Sequence, residues 1–414
     1  MVKLENTLLE YSWGSRTMIA EWLGRPSPSA QPQAEMWMGA HPVAPSLVAA
    51  TAPGQGRVTL ADRIAAAPAA ELGEAVCRRF GGKLPFLLKV IAADSPLSLQ
   101  AHPNREQARE GYAREEAAGV PIRARERNYK DENHKPEFLL ALAPFDALCG
   151  FRPASESREL LEALGTPQLD PILEPLRSLP GPEAVRGAFE RIITMEAAER
   201  PAFVAGVLAA CRAGMERTGP WREAWKWAVE LGERYPGDPG SVSSLLLNLI
   251  HLEAGETVFL PTGSLHTYLR GIAVEVMASS DNVLRGGLTP KHMDVPELLR
   301  VLDFGGHLLQ AVEVRALCRH ERAYLTPTAD FRLSAIEVGA GTSCAPERRG
   351  PELLLCVAGS GEAVIEGSSP EPLSRGESLF VSAGEAPYRL SGNATFFRVT
   401  VGDLDEATPA AAPG

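Results

Sequence analysis

Apolar segments of strand length, separated by turn residues, make up both ends of the chain. Residues 84–93 (LPFLLKVIAA) form a continuous apolar run, which predicts a strand buried on both faces. Other apolar runs begin at Ser244, Phe331 and Ala394, and glycine-containing turns separate those near the carboxyl end. Short strands at regular spacing are typical of a sandwich or barrel, so we predict a mainly β protein.

The middle of the chain follows a different period. Between residues 155 and 240, apolar side chains recur at helical spacing in several successive runs. The first run is expected to begin at an N-cap serine, Ser155, and to end at Gly165. A turn-rich segment at residues 236–240 (PGDPG) closes this part. The pattern predicts an α-helical module inserted between two halves of one β domain.

The length of 414 residues allows two or three domains with substantial cores. We predict a β domain in two parts, a helical insertion domain, a carboxyl-terminal β barrel and a disordered Pro/Ala-rich tail. The predicted divisions are 1–154 and 241–310 for the two-part domain, 155–240 for the insertion, 311–402 for the barrel and 403–414 for the tail.

The chain is acidic, with 41 basic and 52 acidic residues and a net charge of −11. It contains no block of Lys or Arg, so neither nucleic acid nor an anionic membrane is an expected partner. The six cysteines form no CxxC pair and are expected to be reduced thiols. Because the amino terminus lacks an apolar leader and no apolar run reaches about 18 residues, a cytoplasmic location is expected.

Two polar residues at strand spacing, Gln100 and His102, indicate a metal site. Side chains two apart on a β-strand point to the same face, so the amide and the imidazole would form half of such a site. The other half is expected from residues 134–137 (HKPE) and residues 255–266 (GETVFLPTGSLH). The second of these segments has the pattern GExxxxPxGxxH, which resembles the second metal-binding motif of cupin barrels and ends on His266.

Glu137 is the expected fourth ligand, at the start of a predicted strand. Two imidazoles, one carboxylate and one amide oxygen around an open position suit Zn²⁺ as a Lewis acid, while Mn²⁺, Co²⁺ and Fe²⁺ also fit. Each of these residues alone is more often structural than a ligand. The metal hypothesis therefore depends on their combination.

Seven stretches extend this pattern along the chain. They are YSWGS from Tyr11, AEMWMGAHP from Ala34, LPFLLKVIAADSPLSLQAHPN from Leu84, NHKPEF from Asn133, FDALCGFRP from Phe145, LPTGSLHTYL from Leu260 and MASSDNVLRGGLTPKHMDVPEL from Met277. In this order they resemble the type I mannose-6-phosphate isomerase (phosphomannose isomerase) family of the cupin superfamily. The resemblance covers nearly all of residues 1–155 and 241–305. It implies cupin-type jelly-roll barrels, one catalytic and one carboxyl-terminal and metal-free, with an inserted α-helical domain.

The resemblance implies a zinc-dependent isomerase that interconverts mannose 6-phosphate and fructose 6-phosphate through a cis-enediol. It implies one Zn²⁺ per subunit, a phosphosugar as the small-molecule partner, and a monomer, with an oligomer left open. The implied zinc ligands are Gln100, His102, Glu137 and His266. Such a reaction also needs an acid/base on one face of the sugar and a cationic site for the phosphate.

Four further residues match the catalytic part of the family pattern. Arg285 is the family's active-site arginine and suits the stabilisation of developing negative charge, because a guanidinium is too basic to act readily as the base. Lys135 stands two residues before Glu137, close enough to the expected cation to serve as a general base. His134 and Asp281 are candidates for ring opening or proton relay. Which of these groups moves the C1/C2 proton stays open.

Four other residues are expected near the substrate. Ser98 and Lys291 are the predicted phosphate contacts, with Lys89 as a further cation. Lys89 interrupts the apolar run at 84–93, so it needs a partner or a cavity unless it reaches the surface. Tyr268 lies two residues after His266 and is expected to face the same cavity, although a packing role is almost equally compatible.

Three alternatives accompany this hypothesis. The enzyme could act on a different phosphosugar, since a few cavity side chains decide the stereochemistry of the hexose. A catalytically silent sugar-phosphate sensor would be expected to lack a ligand, Lys135 or Arg285, and this chain retains them all. A fused guanylyltransferase is disfavoured because no P-loop-type glycine-rich segment occurs. The carboxyl-terminal part has no histidine after His320, so it is predicted to bind no catalytic metal.

Overall fold

The computed structural model describes residues 1–49, 56–305 and 312–404, and this part of the chain is mainly β, as predicted, with two antiparallel sheets and a group of helices. The strands, in chain order, are β1 Val2–Glu5, β2 Thr7–Leu9, β3 Glu35–Met38, β4 Leu47–Val48, β5 Val58–Thr59, β6 Phe86–Ala93, β7 Leu99–Ala101, β8 Glu137–Ala141, β9 Phe145–Phe151, β10 Leu247–Leu252, β11 Thr257–Leu260, β12 His266–Ala278, β13 Leu284–Gly287, β14 Glu313–Ala316, β15 Glu321–Leu325, β16 Arg332–Val338, β17 Ser343–Cys344, β18 Glu352–Ile365, β19 Glu371–Ser374, β20 Ser378–Val381 and β21 Tyr388–Thr400.

Half of the described α-helices lie between the strands β9 and β10. They are α1 Met18–Trp22, α2 Leu60–Ala66, α3 Pro68–Leu72, α4 Glu74–Phe80, α5 Arg105–Ala117, α6 Ala154–Glu162, α7 Asp170–Ser178, α8 Gly181–Ile193, α9 Arg200–Met215, α10 Arg222–Arg234, α11 Gly240–Ser243 and α12 Val295–Val301, with 3₁₀ turns at Pro167–Leu169 and Ser244–Leu246. Apart from residues 403 and 404, the predicted tail lies outside the described residues. None of the described helices has the length and apolar character needed to cross a membrane.

The ten-stranded sheet is organised around its longest strand, β12. This strand pairs antiparallel with β6, β7, β8 and β9 along different parts of its length. The run predicted to be buried on both faces contains β6, and all eight residues of that strand are buried. Because paired residues lie side by side, β12 places side chains of these four strands next to its own.

The eleven-stranded sheet contains the carboxyl-terminal strands, but the amino terminus also belongs to it. β1 pairs with β20 through Lys3 and Leu379, and with β4 on its other side. The predicted division at residue 154 did not anticipate that the first strand would join the sheet of the last third of the chain. Apolar side chains of the two sheets, among them Leu88 and Leu355, meet in one shared core.

The helical run of the middle segment is present, with one difference at its start. The first helix begins at Ala154 after an N-terminal capping position occupied by Pro153, so the predicted N-cap at Ser155 is wrong. Pro153 has φ −51° and ψ 142°, outside the helical region, so the helix begins directly after it and the N-cap lies two residues before the predicted one. The helices share a core with Leu99 of β7 and Leu265, below the candidate site.

Candidate active site

Three buried side chains converge from separate segments: His102 directly follows β7, Glu137 begins β8 and His266 begins β12. The imidazole nitrogens of His102 and His266 and a carboxylate oxygen of Glu137 all lie within 4.8 Å of one another. His102 Nε2 is 3.3 Å from Glu137 Oε1, and His266 Nε2 is 3.1 Å from Glu137 Oε2. This is the grouping that the sequence predicted for a metal.

Strand register explains how the fourth predicted ligand arrives. Gln100 of β7 stands opposite His266 of β12, and its amide nitrogen lies 3.5 Å from His266 Nε2. On its other side Gln100 stands opposite Arg285 of β13. Strand pairing therefore places Gln100 beside His266, with Arg285 on the other side of Gln100.

The turn before His266 depends on a glycine. Gly263 has φ +83°, a left-handed conformation that residues with a Cβ rarely adopt, and a Cβ there would lie 3.2 Å from the backbone oxygen of Val301. The amide of Gly263 donates to the carbonyl of His102 at 2.8 Å. The turn in the GExxxxPxGxxH motif thus ties the backbone of His102 to the loop that leads into His266.

Both imidazoles are held with Nε2 free to act as a ligand. His102 Nδ1 donates to the carbonyl of Asn282 at 2.7 Å, and His266 Nδ1 donates to the carbonyl of Ser264 at 3.0 Å. Burial, together with the nearby ammonium of Lys135, lowers the pKa of His102 to about 4, so this ring is neutral at physiological pH. A neutral ring with its other nitrogen fixed by a carbonyl is the form that binds a metal.

The carboxylate of Glu137 meets the remaining requirement. Burial alone would raise its pKa, but the ammonium of Lys135 holds that pKa well below its usual range. Lys135 Nζ lies 2.8 Å from Glu137 Oε1. Glu137 Oε2 is buried and accepts no hydrogen bond from any described residue. A buried anionic oxygen without a donor, beside the imidazole nitrogens, fits a divalent cation.

A second buried ionic group lies behind the site. Lys89 Nζ is 3.0 Å from Glu275 and 3.5 Å from Glu35, and the Tyr268 hydroxyl donates to Glu275 at 2.7 Å. Burial opposes the charge of Lys89, but the two carboxylates outweigh it and raise the pKa of the lysine. Lys89 is therefore partnered within the protein, as its place in an apolar run required.

These groups form one wall of a cavity of about 510 Å³. The predicted residues that line it are Ser98, Gln100, Lys135, Glu137, Tyr268, Asp281, Arg285, Lys291 and Lys89. His134 is absent from the described residues lining this cavity, because its Nε2 lies 2.8 Å from Asp330 and 2.7 Å from Arg105. It contacts the carboxyl-terminal half of the molecule instead.

The cavity also contains cations that have no acidic partner within the described part of the chain. Burial lowers the pKa of Arg285, and burial together with Arg285 lowers the pKa of Lys291. No described acidic group contributes to either shift. Leu288, between these two residues in the chain, has φ +56°, the only positive value among the described residues other than glycine. Backbone strain of this kind clusters at functional sites.

Two supporting residues escaped the sequence reasoning. Asn282 is fully buried, and its side chain donates to the carbonyls of Asp131 and Asn133, both at 2.8 Å, while its own carbonyl orients His102. Glu275 interrupts the apolar run GIAVEVM just as Lys89 interrupts its own run. Complementary charges in two apolar runs are a signal that could have predicted their pairing in strand register.

Comparisons with known proteins agree with this geometry. A family model described as "Phosphomannose isomerase type I, catalytic domain" matches residues 1–154. Mannose-6-phosphate isomerase of Escherichia coli is 39% identical over 405 residues, which cover 96% of this chain and 99% of the relative. The mouse mannose-6-phosphate isomerase is 33% identical over 405 residues, covering 91% and 92%.

Solved structures show the same relationship. A variant of phosphomannose isomerase from Salmonella typhimurium superposes with a TM-score of 0.86 at 37% identity, covering 97% of this chain and 99% of that one. A zinc-bound mannose 6-phosphate isomerase superposes with a TM-score of 0.85 at 37% identity over the same shares. The fold and the site are those of a metal-dependent isomerase. The chain belongs to the type I phosphomannose isomerase family.

Proposed function

We propose that this chain interconverts mannose 6-phosphate and fructose 6-phosphate with one zinc ion per subunit. His102, Glu137 and His266 would hold the zinc, with the carboxamide oxygen of Gln100 as the fourth donor. The observation that carries the proposal is the buried Glu137 carboxylate between two buried imidazoles. It lies at the wall of a cavity whose cations Arg285 and Lys291 have no acidic partner among the described residues. Relatives named mannose-6-phosphate isomerase at 39% identity support the same activity.

The electrostatic part of the reaction falls to the metal site and Arg285. A zinc ion held there would supply Lewis acidity toward the sugar's carbonyl oxygen. Arg285 stands opposite Gln100 in strand register and has no acidic partner among the described residues, so its charge is available to a developing enediolate. Removing one such preorganised donor typically costs about 10²–10³-fold in turnover.

Proton transfer through a cis-enediol requires a group that moves a proton between C1 and C2. We assign this step to Lys135 Nζ, because it lies on the cavity wall beside the ligand carboxylate. Asp281 also lines the cavity and would assist ring opening, with its Oδ1 3.5 Å from His41 Nε2. His134 is less suited to a relay, since Asp330 and Arg105 occupy its ring nitrogen.

The phosphate would bind at the other end of the cavity. Lys291 supplies charge there, and Ser98 supplies a hydroxyl from the loop before β7. Lys89 is the weakest of the predicted phosphate contacts, because two carboxylates already neutralise it. Tyr268 donates its hydroxyl to Glu275 and so serves the cavity wall more than the substrate.

Further proposals follow from the family. We propose that the two sheets form cupin-type jelly-roll barrels and that residues 155–240 are a helical insertion domain. The catalytic barrel would consist of residues 1–154 and 241–310, on either side of this insertion, and the carboxyl-terminal barrel would follow. The barrel at 311–402 would have no catalytic metal. The protein would act as a cytoplasmic monomer on a phosphosugar, without nucleic acid or membrane.

The test is a coupled isomerase assay with mannose 6-phosphate before and after chelation, followed by addition of zinc. We expect turnover to disappear with the chelator and to return with zinc. A folded, zinc-loaded protein that fails to turn over mannose 6-phosphate would overturn the assignment. A panel of other phosphosugars would then separate an isomerase of different specificity from a silent sensor.

A further inference from the structure

Two cysteine thiols meet in the eleven-stranded sheet, far along the chain from the ligands described above. Cys318 lies in the turn between β14 and β15, and Cys344 lies in β17; their sulfur atoms are 3.8 Å apart. Cys318 is exposed, whereas Cys344 is 3% exposed. One thiol is therefore open to solvent reagents and its neighbour is covered. The sequence predicted only scattered thiols.

The position of each thiol is fixed by backbone hydrogen bonds. The amides of Leu317 and Cys318 both donate to the carbonyl of Glu321, at 2.9 and 3.3 Å, which closes the turn. Cys344 stands opposite Leu390 of β21 in an antiparallel pair. Because both backbones are held, the short distance between the sulfur atoms does not depend on a mobile side chain alone.

A metal is the first alternative, since a carboxylate oxygen of Glu321 lies within 4.8 Å of both sulfur atoms. One oxygen of that carboxylate is already occupied, however: Glu321 Oε1 accepts from Arg398 at 2.9 Å and from Ser334 at 2.6 Å. The adjoining cavity of about 180 Å³ is lined by several arginines, whose charge opposes a cation. Three donors also fall short of the four that structural zinc takes.

We propose that Cys318 and Cys344 form a reversible intramolecular disulfide by exchange with a low-molecular-weight disulfide such as oxidised glutathione. The thiolate of Cys318 attacks one sulfur of the reagent, a mixed disulfide forms, and one glutathione thiolate leaves. The Cys344 thiol then loses its proton to water and its sulfur attacks the Cys318 sulfur, which releases the second glutathione. Two protein thiols are oxidised and one reagent disulfide is reduced to two thiols.

The asymmetry of the pair sets the order of these steps. Burial raises the pKa of Cys344 to about 12, so its sulfur stays protonated and unreactive toward the reagent. Cys318 is the exposed partner and is the point of entry. Cys344 reacts only with the sulfur that lies beside it, which makes it the resolving thiol.

The bond would fasten an exposed edge of the molecule. All four residues of β14 are exposed, and among the described strands β14 pairs only with β15. A link from the turn after β14 to β17 would tie this hairpin to the body of the sheet and raise its resistance to unfolding. Neither cysteine lines the isomerase cavity, so turnover should not change. The inference is thus independent of the proposed activity.

The experiment uses the full-length, zinc-loaded protein in glutathione buffers of increasing oxidised fraction. Samples are quenched by an alkylating agent in denaturant, so that buried thiols also react, and are then weighed intact and mapped as peptides without reduction. We expect two of the six cysteines to escape alkylation together and a linked Cys318–Cys344 peptide to appear. The half-buried Cys77 provides the matched control: Cys77→Ser should still form the link, and Cys318→Ser should lose it.

A second variant tests the order of the steps. Cys344→Ser should stop at a mixed disulfide on Cys318, detected as the added mass of one glutathione. In the unsubstituted protein, a persistent mixed disulfide on Cys318, or full alkylation of both thiols under oxidising conditions, would refute the proposal. A second zinc per chain that is retained by the unsubstituted protein and lost in Cys318→Ser would refute it in favour of a metal site.

Discussion

Each half of the molecule buries a glutamate, and the two glutamates are treated in opposite ways. Glu352 in β18 is fully buried, and both of its oxygens accept two hydrogen bonds each, from Arg398 and Arg348 on one side and from Arg398 and Tyr388 on the other. Glu137 in β8 is 1% exposed, yet its Oε2 accepts no hydrogen bond from the described residues.

The difference separates structural charge from functional charge. A buried carboxylate that has all its donors has no unmet need, so it serves to hold strands in place. A buried carboxylate with an open lone pair is costly unless something else binds it. The cations follow the same rule, since Arg398 is paired with Glu352 and Glu321, while Arg285 has no acidic partner among the described residues.

The largest effect is expected from removing a predicted metal ligand beside Glu137, the carboxylate that lacks a donor on one oxygen. In His266→Ala we expect loss of zinc and of measurable turnover, because only one imidazole would remain beside Glu137. Metal analysis after gel filtration checks the metal, and the coupled assay checks the turnover. His251→Ala, an exposed histidine on β10, is the matched control and should keep both. Stoichiometric zinc in His266→Ala would remove this residue from the ligand set.

Substitution of Glu352, whose two oxygens are fully hydrogen-bonded, should lower the stability of the protein rather than its activity. Glu352→Ala leaves Arg398 buried with Glu321 as its remaining partner, and breaking a buried ion pair in this way costs about 3–5 kcal/mol of unfolding free energy. Denaturant unfolding of the zinc-loaded protein measures the loss. Glu337→Ala removes an exposed partner of Arg322 and should cost less than about 1 kcal/mol. Equal losses in the two variants would contradict the distinction.

Arg285→Ala should do the reverse, with a loss of turnover and little change in stability. We expect turnover to fall about 10²–10³-fold, the usual cost of losing one preorganised charge in a site of this kind. Zinc content and the unfolding midpoint should stay near those of the unsubstituted protein. Arg270→Ala, on the exposed part of β12 where Arg270 meets Glu230, is the control. Near-native turnover in Arg285→Ala would end its proposed catalytic role.

Local pattern was enough to predict the buried strand β6 and half of a candidate metal site. A run of apolar residues fixes burial, and a two-residue strand spacing puts Gln100 and His102 on one face. Glu137 and His266 were predicted from the HKPE segment, the GExxxxPxGxxH motif and the family resemblance, and the structure brings these two residues together with His102. Gln100 as the fourth ligand stays a prediction.

What the sequence could not predict are partners from distant parts of the chain. The pairing of β1 with β20, the contact of His134 with Asp330, and the approach of Cys318 to Cys344 each depend on how separate segments pack. No local pattern encodes such a partner, because many segments with the same pattern could occupy the position. The predicted relay role of His134 is weakened for this reason. The sequence shows that His134 stands next to Lys135, but it does not show the contact of His134 with Asp330.

The smallest effect on stability is expected from an exposed ion pair. His251 Nδ1 lies 2.7 Å from Asp146, its neighbour in strand register, and the side chain is 56% exposed. The hydrogen bond to Asp146 raises the pKa of His251. A folded-state pKa above the unfolded value of about 6.5 stabilises the fold below that pH, and the stabilisation is lost as the pH rises through the folded-state value.

Solvent screening limits this stabilisation by His251 to a few tenths of a kcal/mol, about the value of an exposed pair. Denaturant unfolding at pH 5.5 and 8.5 should therefore show His251→Ala slightly less stable than the unsubstituted protein at the lower pH only, with the gap shrinking in 1 M salt. A gap of equal size at both pH values would mean that the imidazole acts by packing, and that even an exposed ion pair in this protein is not governed by its charge.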